Sequence, residues 1–341
     1  MVDRPKKPAA IPVSPITPHP QVSFSSDNAR VTATLPTGES VEVLLHGATV
    51  VSWKSRGREN LFLSEKAHLD GSKAVRGGIP LVFPVFGKPP STGSISALPQ
   101  HGFARISRWE FLNKSTSESS TGSDSSGDNS VTLDFGLSPA NLSNEAKKAW
   151  PHNFALIYSV TLGTNGLETS LCVRNEGGES FEFQLLLHTY LRVQVSKSPT
   201  HMRWRWLGTL QISQDISQTS LSGLAGTTYV ERAGAATPRQ ETQTPLSFSA
   251  ETDRVYQSTT PGTPIIVREA GKERFNIVRD NLEDVVVWNP WIEKSAGMSD
   301  FGPRDAWKKM LCVEAGAVSG WQKLDAGDTF EGGQLIKSML S

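Results

Sequence analysis

"FALIYSVTLGTNGLETSLCVRN", residues 154–175, holds two runs of period-two alternation joined by Thr-Asn-Gly. Alternating apolar residues describe a strand with one buried face, and a short Gly-containing turn between two such runs describes a β-hairpin. The same grammar recurs on either side. "ARVTATL" (29–35) and "ESVEVLL" (39–45) flank "PTG". "FEFQLLLHTYLRV" (181–193), "PIIVRE" (264–269), "RFNIVRD" (274–280), "DVVVWNP" (284–290) and "KMLCVEAG" (309–316) continue the series. Helical periodicity is scarce, and "SNEAKKAW" (143–150) is the best short candidate. Many short strands separated by turn signals predict an all-β fold, a large antiparallel β-sandwich.

The chain has 341 residues, and an all-β domain can use them as one unit. We expect a single domain over 21–341. Residues 1–20 are Pro-rich and aperiodic, and read as a disordered tail. "NKSTSESSTGSDSSGDNS" (113–130) reads as a flexible insertion between two strands. A third segment, 195–214, interrupts the pattern directly after "YLRVQ". It begins Val-Ser-Lys, which GTA-AGT-AAA encodes, and ends in Gln, which CAG encodes. Those are the borders of a typical intron, and removing the segment joins "YLRVQ" to "DISQTSLSGLAG". It reads as a translated intron; the competing reading is a surface insertion that exposes "MRWRW" (202–206).

Lys plus Arg and Asp plus Glu are 34 each, so the net charge is zero. Neither nucleic acid nor a membrane is then an expected partner. Two cysteines, no apolar leader and no spanning run predict a cytoplasmic protein in a reducing compartment. A monomer is expected.

Candidate chemistry sits on a few residues. Alternation along 181–193 puts Phe181, Phe183, Leu185 and Leu187 on one face. It puts Gln184, His188 and Tyr190 on the other, so His188 is expected on a polar surface lining a cleft. Glu314 lies in the apolar run "KMLCVEAGAV", where a carboxylate is exposed, paired or functional. "KAVRGGIPLVFPVFGKPP" (73–90) and "LPQHGFARISRW" (98–109) are rigid Gly/Pro-rich loops carrying Arg76, Gln100, His101 and Arg105. Two guanidinium groups on stiff loops suit a phosphate, and Trp288 and Trp291 in "VWNPWIEK" offer faces for a sugar ring. No Walker or dinucleotide Gly loop occurs. His101, His188 and Glu314 lack any recognised metal spacing, so no metal is expected.

"VRGGIPLVFPVFG", "QHGFARISRWEF", "LLLHTYLRV", "SGLAGTTYVE", "TDRVY" and "VVWNPWIEKSAGMSDFGPRDAWKKMLCVEAG" together resemble the glucose-6-phosphate 1-epimerases, the hexose-6-phosphate mutarotases of the aldose 1-epimerase-like group. The resemblance spans about residues 21–340 apart from the insertions. It implies a galactose-mutarotase-type sandwich and interconversion of the α and β anomers of hexose 6-phosphates without a cofactor. Position by position, it makes His188 the general acid and Glu314 the general base. Arg76, Gln100, Arg105 and Asp253 fall at substrate-binding positions, and His101 lies near the sugar. Two alternatives remain at this point: an aldose 1-epimerase of unphosphorylated sugars, and a catalytically silent sugar-phosphate binder.

Overall fold

The structure, a computed structural model, describes residues 19–117, 129–193, 216–233 and 237–339. The segment 195–214, nearly all of the N-terminal tail and the centre of the Ser-rich tract lie outside the described residues.

The predicted hairpin forms as read. Strands Phe154–Gly163 and Gly166–Asn175 pair antiparallel from Phe154↔Asn175 to the turn at Gly163↔Gly166. Phe154, Leu156, Tyr158, Val160 and Leu162 are buried, while the residues between them are not. This hairpin is part of a nine-stranded antiparallel sheet that also contains Lys272–Asp280 and Thr329–Ser338. A second, eight-stranded sheet contains Phe181–Leu187, Tyr190–Arg192, Thr252–Tyr256, Asp284–Asn289 and Met310–Leu324. The chain passes from one sheet to the other between Met310–Leu324 and Thr329–Ser338. Residues of both sheets enter one continuous apolar core, the sandwich that alternation predicts. A five-stranded sheet, Gln21–Glu59, covers the N-terminal side, and its Trp53, Val31 and Val43 join that core. The short helix is Asn144–Ala149, capped by the Ser143 hydroxyl, which accepts from the Ala146 N–H. A second short helix, Trp291–Ala296, has no periodicity signal in the sequence.

One boundary differs from expectation. Glu110–Thr116 is a strand paired to Ser130–Leu137, so the Ser-rich tract begins and ends inside a hairpin. Small polar residues tolerate an exposed edge strand, and here the edge extends into the tract.

The loops that carry the candidate residues are fastened by aromatic packing. The Phe83 ring lies 5.8 Å from Phe103, 5.2 Å from Trp150 and 5.5 Å from Phe183. It therefore ties the Arg76 loop to the "QHGFAR" loop and to the His188 strand. Pairs of this kind add about 0.5–1.5 kcal/mol each beyond area burial. Two glycines make the approach possible. Gly78 at φ 69° and Gly102 at φ 70° lie so close to the carbonyls of Val50 and Phe83 that a Cβ would sit 2.0 and 2.1 Å from those oxygens.

Candidate active site

Strand register builds the floor of the site. Opposite residues on neighbouring antiparallel strands project to the same side. Asp253 pairs with Trp288, Trp288 with Cys312, and Cys312 with Tyr190, which makes one row across four strands. Val286 and Glu314 form part of the adjoining row. A cavity of about 240 Å³ opens over this face. Arg76, Gln100, His101, His188, Asp253 and Glu314 all line it. Arg105 does not line it, although it is close enough to influence both histidines electrostatically.

His188 occupies a break between Phe181–Leu187 and Tyr190–Arg192. The alternation expected there stops at Gln184, where the ladder is irregular. Beyond it Leu185, Leu186 and Leu187 are all buried, and so is His188, at 8 % exposure. The polar face of the strand thus narrows to one imidazole at the cavity floor rather than opening on a polar surface. Gln184 serves the loop instead: its Oε1 accepts from the Phe86 N–H, and its Nε2 donates to the Val318 carbonyl. The His188 ring stacks on Tyr190, with centroids 4.6 Å apart and planes 8° apart. Trp288 meets it edge-on at 6.0 Å.

Glu314 is 1 % exposed, and its Oε1 lies 3.3 Å from His188 Nδ1. Glu314 Oε2 and His188 Nδ1 have no well-formed hydrogen bond within the protein. Burial pushes the Glu314 carboxyl well above its ordinary value, and nearby Asp253 adds to the shift. Burial also pushes the His188 imidazole well below its ordinary value, and Arg105 and Arg76 reinforce this. Both shifts favour the neutral forms of the two groups. This is the reverse of the carboxylate–imidazolium form that an acid His188 and a base Glu314 require. The two forms differ by one proton crossing the gap.

Cations surround the pair. Arg76 Nε donates to both oxygens of Asp300 at 3.3 Å, and its Nη1 donates to the Tyr190 hydroxyl at 3.2 Å. Burial works against the Arg76 charge, but Tyr190 and Asp300 outweigh it and hold the group above its ordinary range. Arg105 donates from Nη2 to the Gln100 carbonyl at 2.8 Å, while its buried Nε has no partner. Burial lowers Arg105 to about 10. His101 has a positive φ of 68°, and its Nδ1 accepts from the Gly87 N–H at 3.3 Å, which leaves the proton of the neutral ring on Nε2. Burial, then Arg105, drives His101 down to about 2.

Sequence reasoning missed several lining groups. Arg232 stands over the Phe86 ring at 4.5 Å and 4.0 Å from Asp253, and Lys294 lies 3.6 Å from Asp253. Burial raises Asp253, and these two cations pull it back. Asp300, Phe86 and Met298 complete the surroundings. A lone Arg at a strand end and a lone Lys on a six-residue helix carry no pattern that would single them out.

The family described as "Aldose 1-epimerase" matches residues 29–337. A protein of Cenchrus ciliaris named "Putative glucose-6-phosphate 1-epimerase" is 33% identical over 305 residues, covering 88% of this chain and 82% of that protein. One of the same name from Escherichia coli K12 is 32% identical over 282 residues, covering 82% and 80%. The crystal structure of "a putative mutarotase (YeaD) from Salmonella typhimurium" matches with a TM-score of 0.70 at 24% identity, over 96% of each chain.

Proposed function

The chain belongs to the aldose 1-epimerase family, and from that premise we propose that it interconverts the α and β anomers of hexose 6-phosphates, chiefly D-glucose 6-phosphate. The observation that carries this reading is the buried His188–Glu314 pair, 3.3 Å apart, at the floor of a cavity ringed by arginines.

Anomer exchange needs one proton removed from the C1 hydroxyl and one delivered to the ring oxygen. The C1–O5 bond then breaks to give the open aldehyde, the C1–C2 bond turns, and the ring oxygen adds back to the other face of the carbonyl. Protons are conserved throughout, so a pair holding one mobile proton suffices. Glu314 as carboxylate accepts the O1 proton while His188 as imidazolium protonates O5, and closure reverses both transfers. A substrate phosphate gripped by Arg76 and Arg105 would also offset two of the charges that depress His188. Phosphate binding would thereby ease protonation of His188, which gives a physical reason to prefer phosphorylated sugars. Asp253, held by Arg232 and Lys294, and Gln100 beside His101 are the groups we assign to the sugar hydroxyls.

The assembly state we propose is a monomer. Cys172 and Cys312 are free, in keeping with a reducing, cytosolic setting. No described helix is long and apolar enough to cross a membrane.

The test is saturation transfer between the α and β signals of glucose 6-phosphate by NMR, with and without the protein. Faster exchange for the 6-phosphate than for free glucose is expected. Equal acceleration of both sugars would replace the reading with a general aldose 1-epimerase, and no acceleration of either would overturn it.

A further inference from the structure

Cys312 is a buried nucleophilic group to which anomer exchange assigns no task. It sits two residues before Glu314 on the same strand face, in the row between Trp288 and Tyr190. One donor atom each from His188, Cys312 and Glu314 lies within 4.8 Å of the other two. The geometry points to a binding site for one thiophilic divalent cation of the zinc–cadmium class, held by His188, Cys312 and Glu314.

Four observations favour such an ion. Ligand bonds of about 2.0–2.3 Å in a tetrahedron put donors roughly 3.3–3.8 Å apart. His188 Nδ1 and Glu314 Oε1 are already at 3.3 Å, and with one donor from each of the three residues within 4.8 Å of the others, closure asks for inward movement of about 1 Å. His188 Nδ1 is buried without a well-formed hydrogen bond, so coordination would satisfy an atom the fold leaves open. The charges also balance. Cys312 loses its proton as the metal–sulfur bond forms, Glu314 loses its own, and both protons leave to solvent. One thiolate and one carboxylate then neutralise a dication, whereas each anion alone is opposed by burial. Finally, His188 and Glu314 line the cavity, which leaves a fourth position open to water from that side. Sulfur in the set and the low ligand number disfavour magnesium and calcium. Arg76 and Arg232 oppose a cation here, and Asp253 favours it.

An ion in this position takes up lone pairs of both His188 and Glu314. It therefore blocks anomer exchange, a consequence that rests on the acid/base reading above. The site itself does not rest on that reading.

The experiment titrates the full, metal-free chain with cadmium and follows the ultraviolet cadmium–thiolate charge-transfer band. One equivalent should saturate the band. Cys172→Ser should keep it, Cys312→Ser should lose it, and His188→Ala should weaken binding at least tenfold. X-ray absorption on the unmutated chain with one equivalent of zinc needs no variant to fold. It should show one sulfur at about 2.3 Å and nitrogen or oxygen neighbours at about 2.0–2.2 Å. A zinc shell without sulfur, or a cadmium band that survives Cys312→Ser, overturns the site. Anomer exchange should stop at one equivalent and return on chelation. Exchange that continues with the ion demonstrably bound by these residues overturns the acid/base reading and leaves the cation site standing.

Discussion

His188 and Tyr190 stack face to face, 4.6 Å between centroids and 8° between planes, and the Tyr190 hydroxyl accepts a hydrogen bond from Arg76. One aromatic ring thus connects the proposed proton donor to a guanidinium of the proposed phosphate grip. Two substitutions separate the halves of that connection. Tyr190→Phe keeps the stack and loses the hydroxyl, so KM for glucose 6-phosphate should rise about tenfold, equal to about 1.4 kcal/mol, with kcat near normal. Tyr190→Leu frees the imidazole, so kcat itself should fall. Steady-state kinetics of the two variants decide it, and an equal effect on kcat from both would refute the division.

Removing either member of the buried pair should cost about 10²–10⁴-fold in exchange rate, the usual worth of one positioned proton-transfer group. His188→Ala and the near-isosteric Glu314→Gln should keep the native circular dichroism and bind glucose 6-phosphate. A near-normal rate from either would remove that residue from the mechanism.

Arg76→Ala and Arg105→Ala address the substrate. Each should raise KM for glucose 6-phosphate by tenfold or more, since a charge-assisted bond contributes about 1.5–3 kcal/mol. Any turnover of free glucose should not fall in either variant, since that sugar has no phosphate to grip and loss of a nearby positive charge eases protonation of His188. Arg105 does not itself line the cavity, so its variant is the sharper check on whether the side chain swings to the phosphate.

Stability should depend on pH with a worked sign. His101, lowered by burial to about 2, and His188, lowered by burial, stay neutral when folded and take a proton near pH 6.5 when unfolded. Each therefore removes about 1.4 kcal/mol per pH unit as pH falls below 6.5. Glu314, raised by burial, works in the opposite direction. Its folded form keeps a proton that the unfolded chain releases above about pH 4.5, so its contribution is full below that pH and is lost as pH rises through its folded value. Urea denaturation at several pH values should show His101→Gln with a flatter acid limb and Glu314→Gln with a smaller loss on the alkaline side. An unchanged acid limb in His101→Gln would mean that His101 is protonated in the folded state.

Reading 195–214 as a translated intron predicts that mature mRNA lacks about 60 nucleotides there. It further predicts that a protein without the segment exchanges anomers at least as fast as the full chain. A transcript that retains those codons ends the reading.

The strands were legible because alternation is a local property. Successive Cβ atoms point to opposite faces whatever the rest of the chain does, so 154–175 declares its hairpin and "KMLCVEAG" its strand without outside help. The site was legible in part, through loops whose Gly, Pro, His and Arg make a recognisable family pattern. Arg232 and Lys294 escaped because each is a single basic residue in ordinary surroundings. Only the tertiary structure decided three things. It set His188 at 3.3 Å from Glu314, it seated Cys312 beside them, and it shifted both members of the pair toward their neutral forms. Distances between remote segments come from sheet register, and pKa values from the water that packing removes. Neither quantity exists until the two sheets close.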